Sequence, residues 1–341
     1  MTPVADSGQT FVTGLTGAIG GTPLIELTRI SAESPFRTFA KLEGDNPGGS
    51  IKDRVALQMV RDGIRSGRIV PGRSVLIESS SGNLGIGLAH MCAYYGIKFI
   101  CVVDPRSNAQ NIAIMRALGA EVEVVTQTDP ATGEYLPARI ARVRELAATI
   151  PNGFWTDQYS NPLNARAHHT TMREIAEAAP GPVDLLFCAA SSCGTLRGCA
   201  DYIRAHDLPT RIVAVDAVGS VIFGQPAGPR LIPGHGAALR PKLYRDDLAD
   251  EVVHVDDTEC VVGCRQLARR EAILAGGSSG AVVAALDQLR DRIPPGATCV
   301  LILPDRGERY LDTIYSDAWV NAHFGDISHL WKQADVEVAS C

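Results

Sequence analysis

The residues of this chain best suited to covalent chemistry lie in Asn46-Pro47-Gly48-Gly49-Ser50-Ile51-Lys52-Asp53-Arg54, a turn-rich loop that runs into a helical pattern. Ser50 and Asp53 fit a capping box, which puts Lys52 in the first helical turn. A cation there opposes the positive end of the helix dipole at a cost of about 0.3–1 kcal/mol, where an anion would be favoured. That placement suits a lysine whose amine has a depressed pKa near other positive potential and forms a Schiff base with a carbonyl. A solvated lysine balanced by Asp53 is the plainer reading. Few other amines compete, because the only lysines are Lys41, Lys52, Lys98, Lys242 and Lys332.

Three further segments carry small polar residues at the start of a helix. Glu78-Ser79-Ser80-Ser81-Gly82-Asn83-Leu84-Gly85 ends a strand, and its N–H groups and hydroxyls suit a carboxylate or phosphate, although N-capping by Ser81 explains the same residues without a ligand. Gly82, Gly85 and Gly87 give G-x-x-G-x-G, the reverse of the dinucleotide order, which argues against NAD. Ser191-Ser192-Cys193-Gly194-Thr195 follows the apolar run Leu185–Ala190 and has the makings of a phosphate cup. Cys188, Cys193 and Cys199 lack C-x2-C spacing, so no metal is expected. Gly276-Gly277-Ser278-Ser279-Gly280 formally satisfies G-x-S-x-G, and Asp305, His323 and His329 follow in hydrolase order. A nucleophile elbow needs a strand immediately before it, whereas Cys264–Leu274 reads as a helix, so a serine hydrolase is only a distant alternative.

These loops need a scaffold, and the chain predicts one of the α/β class. Strand-like runs at Thr38–Leu42, Ser74–Glu78, Phe99–Val103 and Glu121–Val125 alternate with helical patterns at Asp53–Ser66, Asn83–Tyr95 and Asn108–Leu118. The second half repeats this with strands at Asp184–Cys188, Arg211–Asp216, Val252–Val255 and Cys299–Leu303. Its helices are expected at Asn161–Glu177, Gly194–His206, Thr258–Leu274 and Gly280–Arg292, and the chain after about Asp317 reads as an appendage. At 341 residues, 45% hydrophobic and 21% charged, the chain is long enough for two packed domains. With 32 basic against 38 acidic residues and no block of like charge, nucleic acid is an unexpected partner. No run approaches the roughly 18 apolar residues of a membrane helix, and Met1 to Gln9 is polar where a secretory signal would be basic and apolar, so a cytoplasmic protein is expected. Nine cysteines, several in apolar segments, suit reduced thiols better than disulfides.

In their order and spacing the four loops resemble the fold-type II pyridoxal-phosphate family that includes the cysteine synthases, over roughly Thr16 to Ser316. Gly20-Gly21-Thr22-Pro23-Leu24 is similar to the family's opening G-x-T-P-L, and Gln158-Tyr159-Ser160-Asn161-Pro162 to a segment bordering the substrate. The resemblance implies two open, twisted, mostly parallel sheets with flanking helices, as in the tryptophan synthase β subunit. It divides the chain into a smaller substrate-binding domain at 45–155, a larger cofactor domain at 10–44 with 156–320, and an appendage at 321–341. It makes Lys52 the Schiff-base lysine for pyridoxal 5′-phosphate. Asn83 then meets the cofactor's 3′-oxygen, Ser191, Ser192, Cys193, Gly194 and Thr195 its phosphate, and Ser278 its pyridine nitrogen. Ser80, Ser81, Gly82 and Asn83 form the substrate-carboxylate loop, with Gln158 beside it.

The stretches Cys101–Pro105, Tyr135–Ala141, Ala214–Gly224 and Leu303–Asp312 are similar to family members that join an amine to the substrate's Cβ. They imply O-phospho-L-serine and L-glutamate as substrates, an α-aminoacrylate between the two half-reactions, and N-(2-amino-2-carboxyethyl)-L-glutamate as product. Such a product leads to 2,3-diaminopropionate and so to a siderophore or an antibiotic. Arg139 and Tyr159 are then expected to meet glutamate, and Arg230 the leaving phosphate. Leu84 and Ser191-Ser192-Cys193 depart from the threonine and G-T-G of many cysteine synthases, so the carboxylate contacts need not match theirs. Cysteine synthesis from O-phosphoserine or O-acetylserine and sulfide is the alternative, and a regulatory cofactor-binding protein without turnover is disfavoured by the intact Lys52 and Asn83. A homodimer is what the family implies.

Overall fold

Two parallel-rich sheets organise the computed structural model, which describes residues 12–332. The polar start at Met1 to Gln9 and the last nine residues of the expected appendage, 333–341, lie outside the described residues. In chain order the first half contains α1 (Gly14–Gly17), β1 (Leu24–Glu26), β2 (Arg37–Leu42), α2 (Lys52–Arg65), β3 (Val75–Ser79), α3 (Asn83–Tyr95), β4 (Lys98–Val103), α4 (Ala109–Ala117), β5 (Glu121–Val124), α5 (Tyr135–Thr149) and β6 (Gly153–Trp155). The second contains α6 (Pro162–Ala178), β7 (Leu185–Ala189), α7 (Gly194–Ala205), β8 (Arg211–Ala217), β9 (Glu251–Val255), α8 (Asp257–Arg270), α9 (Gly277–Leu289), β10 (Thr298–Leu303), α10 (Asp317–Phe324) and α11 (His329–Lys332).

One sheet runs β5-β4-β3-β6 and is parallel throughout; the other runs β1-β2-β10-β7-β8-β9, with only β1 antiparallel. β4, β7 and β10 are the apolar runs KFICVV, LLFCA and TCVLIL, buried because helices cover both faces of a parallel sheet. β5 reads EVEV and stays half-buried at an edge. The apolar stripe of α2, including Val55, Met59 and Val60, packs under the smaller sheet with α3. α6 joins the two bodies, with Ala167 in the core of the smaller and Met172 and Ile175 in the core of the larger. Asn161 caps it, with Pro162 at its first position, where the missing N–H costs nothing.

Three expectations change. α8 stops at Arg270 rather than Leu274, and α9 starts at Gly277 rather than Gly280. The residues after Asp317 do not hang free as far as they are described: Val320 and Trp331 are buried in the larger core. No helix among the described residues is long and apolar enough to cross a membrane.

Candidate active site

Lys52 is the first residue of α2, and the loop before it is stitched to the end of β10. Ile51 donates its N–H to the Pro304 carbonyl at 2.8 Å, and Ser50 pairs with Asp305 in an isolated bridge. The capping box does not form. Instead the Asp53 carboxylate accepts the N–H of Gly48, and burial pushes that carboxyl up to about 6. A Cβ on Gly48 would sit 2.4 Å from it, so the turn requires glycine. Desolvation lowers the Lys52 amine below its ordinary value, while Cys188, Asp305 and Glu43 act in the opposite sense. The direction is the one the sequence suggested, but burial, and not neighbouring positive charge, is the cause.

Lys52 lines a cavity of about 460 Å3 together with Ser80, Ser81, Gly82, Asn83, Arg139, Gln158, Tyr159, Ser191 and Ser278. A narrow recess of about 30 Å3 continues from Lys52 and Ser191 to Ser192, Cys193, Gly194 and Thr195. Arg230 alone falls on neither; it lines a third cavity that meets the first at Tyr159 and Ser191.

The recess ends at the N-terminus of α7, where unpaired N–H groups favour an anion. Cys193 turns the chain at φ 61°, a left-handed conformation that costs a non-glycine residue about 1–2 kcal/mol. Gly194 must be glycine for a different reason: a Cβ would lie 2.1 Å from Asn164 Oδ1. The Ser192 hydroxyl accepts from Asn164 Nδ2 at 3.1 Å, and Thr195 Oγ1 lies 3.3 Å from His168 Nε2. Burial holds His168 well below its ordinary pKa, hence neutral. Across the cavity Ser278 is buried in the first turn of α9.

At the start of α3, Ser80 rather than Ser81 supplies the local hydroxyl, accepting the Gly85 N–H at 3.0 Å. The Ser81 carbonyl accepts from Asn111 Nδ2 at 3.1 Å. Asn83 donates to Asp305 Oδ2 at 2.8 Å and accepts from Arg309, whose other nitrogen reaches the Gly48 carbonyl. The Tyr310 hydroxyl donates to Asp305 at 2.6 Å, and burial raises that carboxyl above its usual range. Asp305 is therefore not part of a hydrolase triad: His323 and His329 are exposed, and the coil after α8 precedes Ser278 where an elbow needs a strand.

Beneath the loop, Glu78 Oε1 accepts from Ser79 N–H at 2.8 Å and Trp155 Nε1 at 3.2 Å. Its Oε2 accepts from the Thr156 hydroxyl and from Gln158 N–H at 3.3 Å. Burial outweighs these four donors and pushes Glu78 up to about 7. Arg139 projects from α5 into the Lys52 cavity, its side chain 11% exposed and Nε 3.3 Å from Asp104 Oδ2. Its Nε and Nη1 are buried with no hydrogen-bond partner. Burial raises the Tyr159 hydroxyl, and Arg139 and Arg230 both pull it back down, so Tyr159 stands within the field of both guanidiniums.

Sequence reasoning missed Asn108, Asn111, Arg309, Tyr310 and Trp319. Asn108, Asn111, Tyr310 and Trp319 line the Lys52 cavity, and Arg309 grips Asn83. Only Asn108 carried a local signal, as the cap of α4; the rest reach the site through tertiary contacts.

A lysine amine with lowered pKa, a cup of small residues that excludes a Cβ at Gly194 and a buried hydroxyl opposite fit an aldehyde cofactor bearing a phosphate. A family model described as "Pyridoxal-phosphate dependent enzyme" matches residues 15–305. The chain is 48% identical over 303 residues to an N-(2-amino-2-carboxyethyl)-L-glutamate synthase of Ralstonia nicotianae, covering 89% of each. It is 46% identical over 307 residues to a protein of the same name from Cupriavidus metallidurans, again covering 89% of each. A crystal structure of cysteine synthase from Entamoeba histolytica superposes with a TM-score of 0.83 at 32% identity, over 92% of this chain and 94% of that one. The site and these likenesses agree: the chain belongs to the pyridoxal-phosphate dependent enzyme family, and its cofactor is pyridoxal 5′-phosphate.

Proposed function

We propose that the chain replaces the phosphate of O-phospho-L-serine with the α-amine of L-glutamate, giving N-(2-amino-2-carboxyethyl)-L-glutamate and inorganic phosphate. The observation that carries this reading is Arg139, a guanidinium on the wall of the Lys52 cavity that is ion-paired with Asp104 through Nε at 3.3 Å and whose buried Nη1 has no hydrogen-bond partner. A guanidinium nitrogen left without a hydrogen bond donates to a phosphate dianion more strongly than to the neutral acetyl of O-acetylserine. The names of the relatives at 46–48% identity support glutamate as the second substrate.

When bound, pyridoxal 5′-phosphate supplies an electron sink for negative charge at the substrate Cα. Ser191, Ser192, Cys193, Gly194 and Thr195 hold its phosphate, Lys52 its aldehyde carbon, Ser278 its ring nitrogen and Asn83 its 3′-oxygen. Lys52 Nζ, whose charged form desolvation disfavours, takes the Cα proton. Ser80, Ser81, Gly82 and Gln158 orient the substrate carboxylate through hydroxyls and backbone N–H groups. A hydroxyl at Ser278 in place of a carboxylate leaves the ring nitrogen less charged, which favours loss of the β-substituent over transamination.

The C–O bond breaks beside Lys52, so the leaving phosphate meets Arg139. This reading gives the phosphate to Arg139, which the sequence offered for glutamate, in place of Arg230, which lines the third cavity. On this reading 45–155 is the smaller substrate-binding unit, and 10–44 with 156–320 the larger one. The enzyme works in the cytoplasm as a homodimer and supplies 2,3-diaminopropionate for a siderophore or antibiotic.

The likeness to a cysteine synthase favours a second reading in which sulfide is the nucleophile. Following the cofactor's visible absorption while O-phospho-L-serine and then L-glutamate are added tests both. The expected result is a band that shifts with the first addition and returns with the second, with the glutamate adduct detected by mass spectrometry. Return of the band with sulfide and not with glutamate would overturn the proposal in favour of cysteine synthesis.

A further inference from the structure

We infer that the third cavity is the subsite for the side-chain carboxylate of an amino-dicarboxylate nucleophile. The inference deepens the proposed function and rests on it. This cavity, about 400 Å3 in volume, is lined by Arg144, Arg230, Arg240 and Lys242, against a single carboxylate, Asp157. Asp157 is already occupied by the Ser160 hydroxyl. Among the described residues none of the four cations makes an ion pair or a side-chain hydrogen bond, and Arg230 Nε is buried without any partner. In a chain of net charge −6, where Arg142, Arg204 and Arg245 all find carboxylates, four unpaired cations around one hollow are not a consequence of general basicity. Like charges gathered there repel one another until an anion enters, and the low-dielectric walls concentrate their field.

The rest of the lining tells the class of anion. Leu136, Ile140 and Ala237 give an apolar surface suited to methylene groups, so a carboxylate on a short alkyl arm fits better than free phosphate. Aromatic rings steady two of the cations: Arg144 lies over Trp155 at 5.6 Å and Arg240 over Tyr244 at 4.7 Å. The cavity meets that of Lys52 at Tyr159 and Ser191, so a nucleophile seated with its distal carboxylate among these cations extends its α-amine toward the reaction centre. The phosphate of the first substrate goes to Arg139, which lines the Lys52 cavity and not this one. Two anionic substrates thus share one reaction centre and use separate charge sites.

The test compares the native holoenzyme with an Arg144→Gln/Arg240→Gln double variant and, as a milder change at an exposed position, Lys242→Gln. The KM for L-glutamate is expected to rise about tenfold or more in the double variant and about threefold in Lys242→Gln. The O-phospho-L-serine concentration that half-shifts the visible band should stay within about twofold. Calorimetric titration of the holoenzyme with L-glutamate alone should show the same weakening, and the preference for L-glutamate over L-glutamine should shrink about tenfold. Unchanged KM for glutamate in both variants, or equal loss for both substrates, overturns the subsite while leaving the proposed function standing. A native enzyme that turns over sulfide and ignores L-glutamate overturns both.

Discussion

Asn83 donates its amide to the carboxylate of Asp305 at 2.8 Å, across 222 residues of chain. Asn83 opens α3 on the smaller sheet, whereas Asp305 follows β10 of the larger sheet and pairs with Ser50 in the loop that presents Lys52. One residue thereby ties the substrate loop to the lysine loop, its backbone paired with Ser50 and its carboxylate bonded to Asn83 and Tyr310. Asp305→Ala leaves the Asn83 amide and the Tyr310 hydroxyl without an acceptor, at a cost of about 1–3 kcal/mol for the buried Tyr310 hydroxyl and less for the part-exposed Asn83. The expected outcome is a lower unfolding temperature and weaker cofactor retention on dialysis, with Asp305→Asn losing less of both. Retention equal to the native protein in Asp305→Ala would show that Asn83 needs no such anchor.

Lys52 is expected to be indispensable to turnover and dispensable to folding. Lys52→Ala should lower kcat by on the order of 10²–10⁴ or more, the range for removal of a positioned proton-transfer group. Its burial disfavours the charged amine, so the variant should be no less stable in urea than the native protein at neutral pH. Turnover within tenfold of native would remove Lys52 from the mechanism.

Arg139 separates phosphorylated from acetylated substrates. Arg139→Gln removes a charged hydrogen-bonding group worth about 1.5–3 kcal/mol, so kcat/KM for O-phospho-L-serine should fall about 10- to 150-fold. Turnover of O-acetylserine, which brings no dianion, should change by less than about threefold. Steady-state kinetics with the two substrates check this, and parallel losses on both would show that Arg139 only holds Asp104.

Glu78 gives the fold a pH dependence of predictable sign. Its carboxyl is pushed up from 4.5 to about 7, so the folded protein keeps a proton that the unfolded chain releases. The stability owed to this group is complete below pH 4.5 and is lost as the pH rises through 7, about 3 kcal/mol in all at about 1.4 kcal/mol per pKa unit. Glu78→Gln cannot titrate. Urea unfolding at acid and at mildly alkaline pH should therefore show the variant gaining on the native protein by up to about 3 kcal/mol as the pH rises. A difference that stays constant with pH would place the Glu78 titration outside this range.

Much of the site was legible in the sequence because its parts are contiguous. A loop that opens a helix carries its chemistry in successive residues, so Lys52, Ser80 to Asn83 and Ser191 to Thr195 could be read from local pattern, as could the alternation of strands and helices that makes parallel sheets, whereas Ser278, whose local pattern suggested a hydrolase, came from the family resemblance. Tertiary structure decided what local pattern cannot encode. Ser50 and Asp53 have the spacing of a capping box, yet the carboxylate turns to the N–H of Gly48 because the loop folds back over the helix start. Desolvation at the cavity wall, and not a neighbouring cation, lowers the Lys52 amine. By residue type the sequence offered Arg139 for glutamate and Arg230 for the leaving phosphate, and only the packing of α5 and the 228–240 loop around Tyr159 puts them on different cavities. Asp305, Arg309 and Tyr310 enter the site for the same reason: their partners lie at the far end of the chain, and side chains that meet through the docking of two sheets leave no periodic trace in either segment.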